Sequence, residues 1–371
     1  MIPLTELLAS LTDLSESLLG IVLNCGSGPH GSYIGGKYWH SPGAFNNGFK
    51  GLCTVFVNAV FAFSGAELIG LAAAETVDCR RTIPRAMKQV FWRICIFYIV
   101  SLTLVGLLVP YSDGRLGNGN KSFNAHTSPF VIAINNAGII GLPSAMNAVI
   151  LISALSVGNS SVYSSSRTLS ALSNQGQAPK IFSYIDRQGR PLVSIILSGA
   201  CGLLCFLAAS EKRQEVFNWL RAIAGLSTIF TWGSICLSHI RFRRAWRLEG
   251  HRLTELAFTS RLGVFGSWTG FIISCLVLVA QFWIGFAPIG YGEMTAKELV
   301  NSWFQAYLAV PVVLAFYISY KIYFRTSFIR TKHIDLVTGR RDYHIERLID
   351  KEWEEHQDGI PLWKKLYKIF C

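Results

Sequence analysis

Charge is the scarce ingredient of this chain. Only 15% of its 371 residues are Asp, Glu, Lys or Arg, against roughly 25% in soluble domains. A nucleic-acid binder carries its basic residues on a folded polar surface. Little such surface can be built here, so the net charge of +12 does not read as a nucleic-acid footprint. Metal-ligand spacing is missing too. The nine cysteines (25, 53, 79, 95, 201, 205, 236, 275, 371) include no CxxC pair. Most lie in apolar runs and read as small apolar packing residues, not as a disulfide framework or a zinc site. No clustered His/Asp/Glu set, nucleophile elbow or phosphate-binding loop is present. Neither an enzyme nor a bound metal or cofactor is expected. Residues 1–25 contain no Lys or Arg and no cleavage-like pattern, so no signal peptide is expected there.

Long apolar runs are what the chain has instead. Hydrophobic residues make up 51%, and a helix needs about 20 mostly apolar residues to cross a bilayer. Stretches at 51–74, 90–109, 145–163, 193–209, 216–240, 262–286 and 304–324 predict seven transmembrane helices. An eighth, 14–25, is short and begins beside Asp13 and Glu16. The expected fold class is all-α, a polytopic membrane helical bundle. Loop charge supports it and sets an orientation. Segments 76–93, 164–190, 241–261 and the tail from 325 carry 25 Lys and Arg, whereas the alternate segments 26–50, 111–128, 210–215 and 287–303 carry 7. The basic loops and the tail 325–371 are therefore expected in the cytoplasm. A buried soluble core does not produce this alternation.

One apolar run contains a contradiction. The stretch "FAFSGAELIGLAAAE" (61–75) places Ser64-Gly65, a helix-weakening step, just before the carboxylate of Glu67. Lipid offers no hydrogen bonds, so a helix breaks at mid-depth only where protein or a watery cavity satisfies the freed backbone. A carboxylate at that depth costs about 2.5–3.5 kcal/mol on insertion scales and marks a pathway or a partner. The alternative is a glycine used for close packing beside a structurally hydrogen-bonded glutamate.

The same stretch, followed by "RRTIPRAMKQVFWRI" and "GLLVPY", resembles the sixth and seventh helices of fungal amino acid permeases. These belong to the amino acid–polyamine–organocation superfamily. The likeness continues upstream in "GSYIGGKYWHSPGAF" and downstream in "SALSVGNSSVYSSSRTLSALSNQGQAP", "DRQGRPLVS", "GLSTIFTWGSICLSHIRFR" and "IDLVTGRRD", and covers about 18–371. It implies the five-plus-five inverted-repeat transporter fold, with the substrate held between broken helices 1 and 6. The seven stretches would be helices 6 to 12, the second inverted repeat plus two extra helices. Residues 1–50 would be an atypical start, the end of helix 5 and an external loop. Helices 1 to 4 find no counterpart, and the first ~16 residues fit the family poorly. The expectation is a truncated chain or a shifted gene start that does not transport alone, and that folds poorly or is retained in the endoplasmic reticulum unless a second chain supplies helices 1 to 5.

The resemblance also assigns roles. An unwound step across Phe61, Ala62, Phe63, Ser64 and Gly65 would offer backbone carbonyls to the α-ammonium group of an amino acid. Phe61 would be an aromatic gate or a core residue. Glu67 would couple protons or organise the break. Ser156, Asn159 and Ser160 share nearly one face of the eighth helix and, with Ser227, Thr228 and Thr231 of the tenth, would line the cavity. Helix–helix hydrogen bonding explains the same hydroxyls equally well. Asn120 begins a glycosylation sequon on an external segment, and Cys371 is a candidate for palmitoylation. Trp353, Trp363, Tyr367 and Phe370 suit an amphipathic helix lying on lipid, and the family implies trafficking or ubiquitination factors acting on this tail. The implied function is proton-coupled amino acid symport at the plasma membrane. A non-transporting permease remnant or nutrient sensor shares every one of these motifs. A seven-helix receptor shares the span count but lacks a reason for the polar break.

Overall fold

The computed structural model describes residues 17–26, 33–65, 67, 69–72, 79–117, 128–139, 141–209, 213–253, 256, 259–260 and 262–336. These residues form helices and connecting turns, with no strand among them. The principal helices are α1 (Gly48–Phe63), α2 (Cys79–Leu108), α3 (Pro129–Asn136), α4 (Leu142–Asn174) and α5 (Leu192–Gly202). They are followed by α6 (Arg213–Leu248), α7 (Gly263–Phe286), α8 (Ala296–Tyr307) and α9 (Ala309–Phe324). Residues 17–24 are also helical.

Among the described residues, four helical segments are long and apolar enough to cross a membrane: Thr82–Leu108, Leu142–Asn174, Val216–Leu248 and Gly263–Phe286. The α8–α9 pair, bent by 53°, makes a fifth when taken as one span. The stretches expected at 51–74 and 193–209 differ for a local reason. The first is interrupted after Phe63, and the second tightens from α5 into a 3₁₀ segment, Leu203–Ala209. Each piece is thus shorter than a full crossing helix. Elsewhere the helices outrun the apolar stretches. Polar ends such as "CRRTIPR" and "RFRRAWRL" continue the helix without adding hydropathy.

The ends of the helices obey local chemistry. Thr295 and Glu298 form a reciprocal capping box at the start of α8, which satisfies two otherwise unpaired amides. Pro129 opens α3, where a missing N–H has no consequence. Ahead of α3, Arg115 forms a salt bridge to Asp113 at 2.6 Å and donates to Asn136 at 2.6 Å. The hydrogen bond from Arg115 holds the Asp113 carboxyl at about 2, down from 3.8. In the turn between α4 and α5, the backbone N–H of Gln188 and the Arg190 guanidinium both donate to Asp186 and lower its pKa.

Packing divides the helices into two groups. In one, α6 is the hub, in contact with α1, α7, α8 and α9 around Val57, Leu226, Ile229, Val277 and Ala309. Small residues let α6 and α7 approach closely. A Cβ added at Gly270 would lie 2.9 Å from Cys236 Sγ. The buried Gln281 amide on α7 donates to the Cys53 carbonyl on α1 at 3.0 Å, and His239 Nδ1 lies 2.7 Å from Ser267 Oγ nearer the other end of the α6–α7 seam. The second group packs residues 17–24, α2, α3 and α4 around Leu23, Leu108, Ile132, Ile134 and Met146. There α4 joins α5 through a Ser165–Ser198 hydroxyl bond of 2.9 Å.

Outward faces carry large apolar side chains, including Leu151, Leu155 and Val157 on α4 and Phe265, Leu276 and Val279 on α7. A water-soluble protein rarely leaves apolar patches of this extent uncovered. Lipid is the solvent that fits these faces, and the chain is an all-α integral membrane bundle. Cys25, Cys53, Cys95, Cys201, Cys205, Cys236 and Cys275 are free thiols. Cys53 is buried in packing, Cys95 and Cys236 are half-buried, and Cys25, Cys201, Cys205 and Cys275 are exposed.

Candidate functional site

The interruption of α1 is built by two residues. Ser64 and Gly65 form a turn, and Gly65 takes a φ of +103°, which side chains other than hydrogen rarely tolerate. Helix resumes at Ile69–Ala72. Unwinding therefore starts at Ser64, whereas Phe61, Ala62 and Phe63 form the last turn of α1. That corrects the expectation of an unwound step across all five residues. Propensity favours helix up to Phe63, and only the Ser-Gly pair weakens it. The change keeps the chemistry. The last carbonyls of an α-helix lack intrahelical donors, and the helix dipole is negative at this end. Both features favour a cation such as an ammonium group. The side chains of Phe61 and Ala62 lie outside the described residues. Phe63 is half-buried, its ring 4.9 Å from that of Tyr98 on α2.

Glu67 holds the break together. Its Oε2 accepts from the Gly65 backbone N–H at 3.1 Å and from the Trp232 indole N–H on α6 at 3.1 Å. One oxygen thus closes the turn locally and ties it to a helix 165 residues away. Both side chains are half-buried. The carboxylate's two donors are an amide and an indole, neither of them a cation.

The expected cavity residues separate into two locations. Ser227, Thr228 and Thr231 lie on α6, and Trp232 follows Thr228 by one turn on the same face. Their hydroxyls bond back along the helix: Ser227 and Thr228 donate to the Ala224 carbonyl at 2.9 and 3.0 Å, and Thr231 to the Ser227 carbonyl at 3.0 Å. The oxygens keep acceptor capacity while the protons are committed. Ser156 is half-buried and Asn159 and Ser160 are exposed on α4. That helix packs mainly on α5, on the 3₁₀ turn Lys180–Ser183 and on α3, and it also touches Ile69–Ala72 beyond the break. The structure ties the helix that carries Ser227, Thr228 and Thr231 to Glu67 through Trp232, whereas Ser156 and Asn159 lie on α4 in the other packing group.

Trp232 is the residue that sequence reasoning missed. Its signal was an indole N–H inside an apolar run, which generally needs a partner when buried. Asn120 and Cys371 lie outside the described residues, as does the tail from 337 on. The start of the tail is pinned to α6. Arg241 donates to the Ile329 carbonyl, and its guanidinium sits 4.6 Å from the centre of the Phe328 ring.

A model of the amino acid permease family matches residues 8–333. A general amino-acid permease of Candida albicans is 54% identical over 367 residues, covering 97% of this chain and 61% of its own length. A general amino-acid permease of Saccharomyces cerevisiae is 50% identical over 370 residues, 97% of this chain and 60% of that one. The histidine permease of the same yeast is 49% identical over 342 residues, 90% and 56% respectively. No solved structure matches the chain. The chain thus spans about 60% of the length of the curated relatives it matches. A glycine-turned break in an apolar helix, stitched by a carboxylate in a lipid-facing bundle, accords with that match: the chain belongs to the amino acid permease family.

Proposed function

We propose that this segment forms the helix-6 side of an amino acid transport site and couples uptake to protons through Glu67. The observation that carries the reading is the double acceptance by Glu67, from the broken backbone at Gly65 and from Trp232 on α6. Protonation takes the negative charge off the carboxylate and so weakens its acceptance from both donors. One proton would then loosen the break and its tie to α6 together, which is what coupling requires. The carbonyls of the last α1 turn would hold the substrate ammonium, with Ser227, Thr228 and Thr231 along the same wall. Ser156 and Asn159 would contribute only if the α4 group closes against the α6 group during the cycle.

Further parts of the reading follow from loop charge and from kinship. The chain has seven spans, counting the broken ones, with the tail in the cytoplasm and the protein in the plasma membrane. Membrane lipid covers α4 and α7, and the tail meets trafficking or ubiquitination factors. Transport replaces enzymatic chemistry here. The relatives are general amino-acid and histidine permeases, so the substrate class is amino acids.

The test is uptake of a labelled amino acid mixture in a permease-deficient fungal strain expressing this segment within a full-length permease. Saturable uptake that collapses when the proton gradient is dissipated is the expected result. Uptake indifferent to the gradient would overturn the coupling, and absence of uptake at normal surface level would overturn transport. A reporter fused after Cys371 is expected in the cytoplasm, and an extracellular reporter would overturn the loop-charge topology.

A further inference from the structure

A second polar cavity lies apart from the break. It occupies about 220 Å³ between α1, α6, α7 and α8. Asn58, Asn218, Arg221, Gln281, Ser302 and Gln305 contribute polar side chains to it. Its composition is one guanidinium, four carboxamides and hydroxyls, and no carboxylate is among the described lining residues. Arg221 donates to Asn218 at 3.4 Å, and its guanidinium lies 5.9 Å from the centre of the Phe217 ring. Neither neighbour neutralises it. An ionised side chain in a membrane helix normally faces a partner or a watery path. Arg221 faces a cavity whose other groups donate hydrogen bonds without adding charge.

We propose that this cavity is a binding site for a small carboxylate, with Arg221 as its charged partner. Guanidinium presents paired N–H groups matched to the two oxygens of a carboxylate. The amide of Gln305 adds a further donor, while Gln281 is already committed to the Cys53 carbonyl. Room for one small solute or several waters is available at this volume. Arg221 lies eleven residues before Trp232 on α6, about 16 Å along the axis. Asn58 lies six residues before Ser64, about 9 Å from the break. The cavity therefore lies towards the end of α1 and α6 that loop charge assigns to the outside. In that setting the occupant is the α-carboxylate of an amino acid paused before the main site, an identity that rests on the transport reading. The carboxylate chemistry does not rest on it.

The experiment uses sodium propionate on the purified full-length permease containing this segment, at constant ionic strength. Propionate has the carboxylate and lacks the ammonium group assigned to the break, and propionamide is the uncharged control. Propionate is expected to raise the thermal unfolding midpoint of the unmodified protein and of Arg221→Lys, and propionamide is not. Arg221→Gln should weaken the propionate Kd at least tenfold, about 1.4 kcal/mol. Gln305→Glu should do the same while leaving Arg221 paired with the new carboxylate, so that variant remains informative if Arg221→Gln fails to fold. Equal propionate responses in Gln305→Glu and the unmodified protein, or no response in the unmodified protein, would overturn the site. Amino acid uptake measured in parallel separates the two readings. Uptake without a propionate effect removes this site alone, and a propionate effect without uptake removes transport alone.

Discussion

Glu67→Gln, introduced within a full-length permease, abolishes concentrative amino acid uptake while surface expression stays near normal. The expectation comes from the geometry of one oxygen. Glu67 Oε2 accepts from the Gly65 N–H and the Trp232 indole, each at 3.1 Å. A glutamine carbonyl oxygen can accept both bonds at the same positions, so the break and its tie to α6 persist. What glutamine cannot do is bind and release a proton. Downhill exchange of labelled for unlabelled substrate should survive, because it needs the site and not the gradient. The measurement is accumulation ratio against exchange rate in the same cells. Full accumulation by Glu67→Gln would remove Glu67 from coupling. Loss of the protein from the surface would instead give Glu67 a purely structural role. Glu67→Ala separates these further, since it deletes both hydrogen bonds and should impair exchange as well.

Gly65→Ala is expected to reduce uptake at least tenfold and to lower the unfolding midpoint by several degrees. Gly65 has a φ of +103°, beyond the left-handed well near +50 to +70° that other residues visit. Strained conformations of this kind cost on the order of 1–3 kcal/mol each. For a chain of this size each kcal/mol moves the midpoint by roughly 2–4 °C or less. The transport loss is larger than the stability loss because an alanine that relaxes its φ must move the amide that Glu67 accepts. Gly70→Ala is the control. Gly70 sits in the helical turn beyond the break, with no atom within 4 Å of an added Cβ, and alanine favours helix over glycine by about 1 kcal/mol. It should leave stability unchanged or higher. Equal effects of the two substitutions would mean that the turn at Gly65 carries no special demand.

The sequence alone determined the solvent. Apolar run length and alternating loop charge are local along the chain, and a bilayer responds to both segment by segment. The polar contradiction at Ser64, Gly65 and Glu67 was legible for the same reason, since mid-run polarity is visible without knowing any partner. Local signals did not fix where the break begins, because carbonyl and amide pairing extends the helix to Phe63 before the Ser-Gly step stops it. Tertiary structure decided the rest. It selected Trp232 to answer Glu67 across 165 residues, gathered Arg221 with the amides of α1, α7 and α8, and left Asn159 exposed on a helix of the other packing group. Hydropathy places a helix in lipid but gives only a preference for which face turns inward. Small residues such as Gly270 and buried bonds such as Gln281 to Cys53 fix the rotation and depth of each helix against its neighbours, and those contacts decide which polar groups meet.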